Sequence, residues 1–215
     1  MSKNMIKGLI FDLGGVVVEW SNSKTYSYIE EIYGIPANDF KLIAEKSLPD
    51  AQTGKISETD WMRKTFSHFG PPPPGFNKVW GKTFEAAKYA PKLLKLLNKL
   101  RTSGYRIAAL SNLEPSRAKW LREHGIDTYF DVVIFSCEVG LRKPDISKGS
   151  PDNLQIYKLT LSRLELGPKE CLFIDDNINC VKAAESLGIK SILFENAEQL
   201  RMKLHNRGVV FEKIT

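Results

Sequence analysis

The chain has 215 residues, with 31 Lys and Arg against 25 Asp and Glu for a net charge of +6, and it is 42% hydrophobic and 26% charged. That length suits one domain, or a core with a small accessory domain, of ordinary soluble composition. The basic residues are scattered without the clustering and interleaved aromatics of a nucleic-acid stripe, and no run of about 18 apolar residues would cross a membrane. Neither nucleic acid nor membrane is therefore an expected partner. Met1–Lys7 does not read as a secretory signal, because Asp12 breaks the apolar stretch that follows. The cysteines, Cys137, Cys171 and Cys180, are odd in number. Two of them fall in strand-like runs, so they read as reduced thiols of a cytoplasmic protein.

Gly8–Phe11 is the first short apolar run without polar alternation, the pattern of a strand buried on both faces. Asp12-Leu13-Gly14-Gly15 follows it. A carboxylate there is costly unless used or exposed. It reads either as a nucleophile able to form an aspartyl-phosphate or as the cap of a strand end before a glycine turn. From about Ser21 to Lys88 the pattern turns helical, with no convincing strand. Ser57-Glu58-Thr59-Asp60 predicts a capping box opening a helix through Trp61, Met62, Thr65 and Phe66. Pro71–Pro74 is a stiff polyproline stretch. The segment reads as a small helical insertion. Trp61 and Trp80 are expected to pack within it, and Trp20 and Tyr26 either to line a pocket or to join that packing.

Beyond it, Leu93, Leu94, Leu96, Leu97 and Leu100 mark one helix face stopped by Gly104. Ile107–Leu110 predicts a strand, and Ser111-Asn112 after it offers a hydroxyl and an amide to phosphate oxygens, or is an ordinary turn. Ala118, Trp120 and Leu121 form a helix stopped by Gly125, with Arg117 and Lys119 expected to be solvated. Val132–Phe135 is the next strand. In Leu141-Arg142-Lys143-Pro144-Asp145 the lysine could neutralise a phosphoryl transition state, although basic loops are common. Cys171–Ile174 is a strand ending in Asp175-Asp176-Asn177, two adjacent carboxylates that repel each other and suit Mg²⁺. Val181, Ala183, Ala184 and Leu187 give a helix stopped by Gly188, and Ser191–Phe194 a last strand. Strands alternating with helices predict a doubly wound parallel α/β sheet, with ligands bound at the strands' carboxyl ends. His68, His124 and His205 lack metal spacing and read as surface or helix-end residues.

Taken in this order, the four motifs resemble the haloacid dehalogenase-like superfamily, in its subgroup with a small helical cap inserted after the first motif. Bacterial sugar-phosphate phosphatases and the phosphatase half of bifunctional epoxide hydrolases are similar to it. The resemblance runs from Lys7 to about Phe194 and implies a Rossmann-like core of residues 1–20 and 89–215 with a cap of residues 21–88. By that resemblance Asp12 is the nucleophile and a metal ligand, and Gly14 lends a backbone carbonyl to Mg²⁺. Ser111 and Asn112 hold the phosphoryl group, and Lys143 bridges nucleophile and phosphate. Asp176 is the main second metal ligand, with Asp175 assisting. The implied activity is a cytoplasmic, Mg²⁺-dependent phosphatase acting on a small phosphorylated metabolite through an aspartyl-phosphate. Oligomeric state is left open.

The chain departs from the family pattern in three places. Gly14 stands where most phosphatases of the family carry a second Asp that protonates the leaving oxygen and then activates water. Either another group, with Glu19 the candidate seven residues after Asp12, replaces it, or the substrate has a good leaving group such as an anomeric phosphate, acyl phosphate or diphosphate. Cys180 replaces a frequent Asn and reads as a small buried residue. Ile146–Gln155 is an insertion that reads as a surface excursion. The missing acid also keeps two alternatives in view, a 2-haloacid dehalogenase-type hydrolase and a non-catalytic binding protein.

Overall fold

The computed structural model describes residues 5–144 and 154–211. Most of the insertion expected at Ile146–Gln155, up to residue 153, and Asp145 of the lysine motif lie outside the described residues. Five parallel strands form the main sheet: β1 (Gly8–Phe11), β4 (Arg106–Ser111), β5 (Val132–Phe135), β6 (Cys171–Asp175) and β7 (Lys190–Leu193). Their order is β5-β4-β1-β6-β7. The chain builds outward from β1 to one side and then to the other, so β1 sits at the switch point where such sheets bind ligands. Phe11 pairs with Ala109 of β4 and with Ile174 of β6, which brings the ends of all three strands level.

Alternation along β1 divides the interior. Leu9 and Phe11 face one layer, with Leu93, Leu96 and Leu97 of helix α5 (Pro91–Thr102). Ile10 faces the other, with Ile156 and Tyr157 of α8 (Gln155–Leu164) and Ala183 and Ala184 of α9 (Ile178–Ser186). The remaining helices are α6 (Pro115–Glu123), the short α7 (Ser136–Val139) and α10 (Ala197–Asn206). The strand expected at Ser191–Phe194 begins one residue earlier, and Ser111 and Asp175 are the last residues of their strands, where the ladders to Phe135 and Leu193 still continue. Of the cysteines only Cys171 lies in a strand; Cys137 is in α7 and Cys180 in α9, and all three are free.

Between β1 and α5 the chain makes four helices, α1 (Asn22–Tyr33), α2 (Ala37–Gln52), α3 (Glu58–Phe66) and α4 (Val79–Phe84). They pack around their own apolar cluster, including Ile29, Phe40, Trp61, Phe66 and Trp80. Tyr26 belongs to this cluster. The Ser57 hydroxyl accepts from the Asp60 N–H at 3.0 Å and donates to its carboxylate at 2.7 Å, so Ser57 caps the helix, with a hydroxyl–carboxylate bond in place of the reciprocal backbone bond of a capping box. A two-stranded antiparallel ribbon not anticipated from the sequence, β2 (Val18–Glu19) with β3 (Lys88–Tyr89), ties the two ends of the helical segment. Phe84 and Ala87, near its end, pack into the main core instead.

Trp61 is fully buried, meets Trp80 edge-on at 4.7 Å between centroids, and donates its indole N–H to the Ala44 carbonyl at 2.9 Å. Trp61→Ala is expected to cost about 3–5 kcal/mol, measured by urea unfolding. A loss within the range of surface substitutions, about 0.5 kcal/mol or less, would mean that this cluster does not carry the helical segment.

Candidate active site

The carboxyl ends of β1, β4 and β6 place Asp12, Ser111 and Asp175 around one cavity of about 300 Å³. Asp12 continues the ladder by donating its N–H to the Ile174 carbonyl at 2.9 Å. The chain then turns sharply, the Leu13 carbonyl accepting from the N–H groups of Val16, Val17 and Val18. Gly15 makes the turn with φ +75°, and a Cβ there would collide with the Asp176 carboxylate. That position therefore requires glycine twice over, for backbone conformation and for close approach. Gly14 differs: its φ is not left-handed, and a Cβ on it would meet nothing within 4 Å.

Lys143 lies deepest. It is separated from β5 by α7, so its motif does not directly follow a strand. Its side chain is 4% exposed, with Nζ 2.7 Å from Asp12 Oδ1 and 2.6 Å from Asp175 Oδ2. Burial alone would lower the lysine pKa; Asp12 and Asp175 outweigh it and hold the ammonium well above its ordinary value. Burial lifts the Asp175 carboxyl to about 7, opposed by Lys143 and reinforced by the charge of Asp12. Asp176, more exposed, is also raised, first by burial and then by Asp12.

Ligand atoms of Asp12, Asp175 and Asp176 all lie within 4.8 Å of one another. Three carboxylates against one ammonium leave two negative charges in excess, and hard oxygen donors so arranged fit Mg²⁺. Within the trio the roles separate. Both Asp175 oxygens already have donors, Lys143 Nζ on one and the Asn177 N–H at 2.7 Å on the other. Asp176 faces the cavity mouth with more freedom. A divalent cation here must displace protons that the raised carboxyls hold. Folding raises Asp175 above its unfolded value near 4, so the native state binds more protons than the unfolded chain between about pH 4 and 7, and metal-free stability falls as pH rises through that window. Added Mg²⁺ is expected to raise the unfolding temperature more at about pH 8 than at about pH 5. Equal shifts at both, read by thermal unfolding, would exclude these carboxylates as the site.

Ser111 is buried and lines the cavity. The Asn112 side chain turns to the lysine loop: its Nδ2 donates to the Lys143 carbonyl at 3.1 Å and its Oδ1 accepts the Lys143 N–H at 2.8 Å. Its side chain thus ties the lysine loop to the end of β4, while the residue also lines the cavity. Asn112→Ala is expected to lower kcat by roughly 10-fold or more while changing KM little, the signature of misplaced catalytic geometry; a change in KM alone would assign Asn112 to substrate binding.

Glu19 does not line this cavity. In β2 the buried Val18 points inward and Glu19 outward, beside a separate depression bounded by Val16, Ala90 and Phe194. Cys180 is buried at the cavity's edge, its thiol pushed up to about 12 by burial. His68, His124 and His205 are exposed near helix ends, as expected.

Arg117 corrects the reading of a solvated side chain. It is 3% exposed and lines the cavity, with its guanidinium 4.2 Å from the Trp80 ring and 3.6 Å from the Glu114 carboxylate. It donates to Asn22 Oδ1 at 2.5 Å and Thr25 Oγ1 at 3.1 Å. Glu114 in turn accepts from Gln52 Nε2 and Trp80 Nε1, each at 2.9 Å. The sequence held one signal for this: Arg117 and Leu121 are four apart, so they share the inward face of α6. Lys119 is solvated as expected. Trp20 does line the cavity.

The sequence profile of haloacid dehalogenase-like hydrolases matches residues 6–188. The chain belongs to this family. It is 26% identical over 215 aligned residues to bifunctional epoxide hydrolase 2 of Sus scrofa, covering 90% of this chain and 37% of that protein, so it spans little more than a third of that relative's length. Sesquiterpene phosphatase astK of Aspergillus oryzae is 25% identical, covering 85% of this chain and 87% of its own. A HAD-like family hydrolase from Porphyromonas gingivalis shares the fold with TM-score 0.75 at 24% identity, covering 94% and 98% of the two chains. A HAD family enzyme of Bacteroides thetaiotaomicron, crystallised with magnesium, does so with TM-score 0.71 at 25% identity over 91% and 98%. The core of this hydrolase is thus the Rossmann-like fold that the strand order displays.

Proposed function

We propose that this hydrolase is a Mg²⁺-dependent phosphatase of a small phosphorylated metabolite, with residues 21–88 as a cap over the core. The observation that carries the proposal is the ammonium of Lys143 held within hydrogen-bonding distance of Asp12 while three carboxylates leave an excess of two negative charges beside it. A phosphoryl group arriving there needs charge neutralised and a nucleophile aimed. Supporting it, the Bacteroides thetaiotaomicron enzyme has been crystallised with magnesium and inorganic phosphate, and astK is named a phosphatase. A cation held by Asp12, Asp176 and the Gly14 carbonyl, with Asp175 assisting, would supply the remaining positive charge.

In this reading Asp12 attacks phosphorus in line and takes the phosphoryl group. Ser111 donates to a phosphoryl oxygen. Lys143 orients the nucleophilic carboxylate and neutralises charge as it spreads over those oxygens. Asp175 anchors Lys143 from behind. The cluster of Asp12, Asp175 and Asp176, which suits a divalent cation, favours phosphoryl transfer over carbon–halogen hydrolysis.

With Mg²⁺ and a panel of phosphorylated metabolites, the parent protein is expected to release phosphate, and Asp12→Asn to lose at least roughly 10³-fold in kcat. Chelation should abolish the activity. A panel on which parent and Asp12→Asn are equally inactive, with no phosphoryl group trapped on Asp12, would overturn the proposal.

A further inference from the structure

We propose that the substrate carries its phosphoryl group on an acidic oxygen, as in an acyl phosphate or a phosphoanhydride, so that the leaving group departs as a stable anion without a proton from the protein. The inference rests on the phosphatase reading above and names its substrate class. It starts from Gly14, which lines the cavity two residues from Asp12. Neither backbone nor packing demands glycine there: the conformation is not left-handed, and a Cβ would project into free space. The position from which an acid would reach the leaving oxygen is thus open but carries no side chain.

Among the described residues, the other carboxylates near the site are committed. Asp12, Asp175 and Asp176 form the charged cluster. Glu114 spends one oxygen on Gln52 and the other on Trp80. Glu58 spends its two on the Ser116 N–H at 2.9 Å and hydroxyl at 2.7 Å, capping α6. Glu19 faces a different depression. Among the described residues, the remaining cavity-lining cations, Lys143 and Arg117, are tied to Asp12, Asp175 and Glu114. The nearby wall is apolar, with Leu113, Leu121 and Phe84.

The chemistry follows. An Asp12 oxygen bonds to phosphorus as the bond from phosphorus to the leaving oxygen breaks, and the electron pair stays on that oxygen. A carboxylate or phosphate holds the pair at neutral pH; an alkoxide must be protonated as it forms. In the second step water attacks the phosphorus of the aspartyl-phosphate, the bond from phosphorus to the Asp12 oxygen breaks with its electron pair restoring the carboxylate, and both protons of the water leave on the product as dihydrogen phosphate.

The test measures kcat/KM with Mg²⁺ for acetyl phosphate, inorganic diphosphate, glycerol phosphate and a series of aryl phosphates of graded leaving-group acidity, in the parent and in Gly14→Asp. In the parent, log kcat/KM should fall steeply as the leaving group becomes more basic, with glycerol phosphate slowest. Acetyl phosphate against diphosphate then tells acyl from anhydride. Gly14→Asp should flatten that dependence, raising the ratio of kcat/KM for glycerol phosphate to that for acetyl phosphate by roughly 10²–10⁴-fold, the usual worth of a general acid. A shallow dependence in the parent overturns the inference, as does a folded Gly14→Asp protein that leaves a steep dependence unchanged. If Gly14→Asp does not fold, the parent's slope decides. Asp12-dependent turnover with a shallow slope removes this inference alone. Absence of any turnover and of any label on Asp12 removes the phosphatase reading with it.

Discussion

A buried ammonium shared between two carboxylates is the constraint on which the rest of the site depends. Lys143 has lost nearly all its water and has Asp12 at 2.7 Å and Asp175 at 2.6 Å in exchange. Removing one partner of such a buried pair costs about 3–5 kcal/mol, because the remaining charge is left uncompensated. The geometry is accordingly fixed from every side. Asn112 binds the Lys143 backbone on both its N–H and its carbonyl, the Asn177 N–H holds the far oxygen of Asp175, and β1 and β6 pair in register so that Asp12 and Asp175 emerge level. Two strand ends are locked to a single nitrogen atom, and Asn112 ties the lysine's loop to the third. In the proposed reaction Asp12 is thereby pre-aimed before any substrate arrives, and little reorganisation is needed.

The same economy governs how the helical segment meets the core. Helix α6 begins a few residues after Ser111-Asn112, and helices α1 to α4 all reach it. Asn22 and Thr25 of α1 accept from Arg117, Gln52 of α2 and Trp80 of α4 donate to Glu114, and Glu58 of α3 caps Ser116. Burial raises the Glu58 pKa and lowers that of Arg117, against the opposing pull of their partners. These polar groups lie where two apolar cores join and bond to one another, leaving Gln52 Oε1 and Arg117 Nε without a hydrogen-bond partner. Movement of the helical segment must therefore break or carry α6, and with it the loop that leads from the phosphate-facing end of β4.

Much of this was readable in the residues. The strands were visible because a strand covered on both faces needs an unbroken apolar run, and Gly8–Phe11 and Cys171–Ile174 are such runs. The Ser57 cap was visible because its bonds are local. Asp12, Ser111 and Asp175 each follow an apolar run, and Lys143 joins them in one cavity. What escaped depends on contacts distant in sequence. The Val18–Glu19 ribbon pairs residues some 70 positions apart over only two residues per strand, too short for any periodicity. Arg117 looked solvated because arginine usually is, and its partners Asn22, Thr25 and Trp80 come from the helical segment. Asn112 could be recognised as a polar group near the phosphate but not as the clamp on a loop 31 residues later. Glu19 was misplaced for the opposite reason. Its nearness in sequence to Asp12 suggested the site, but strand alternation turned it outward.

Gly14 and Gly15 sharpen the distinction between what folding demands and what chemistry demands. Adjacent and identical, they answer to different constraints. Gly15 holds a left-handed turn against the Asp176 carboxylate, so any side chain there strains the backbone and displaces a member of the charged cluster. Gly14 is under no such restraint, since its conformation and its surroundings admit a side chain. The fold therefore explains one glycine completely and the other not at all. In the proposed reaction the identity of residue 14 is a matter of chemistry: an aspartate there would add a fourth carboxylate beside Asp12, Asp175 and Asp176, deepening the negative charge that the pocket must neutralise, and its return would be a proton for the leaving oxygen. Where the leaving oxygen needs no proton, that extra charge brings only repulsion, and an empty position beside the nucleophile is the lower-energy arrangement.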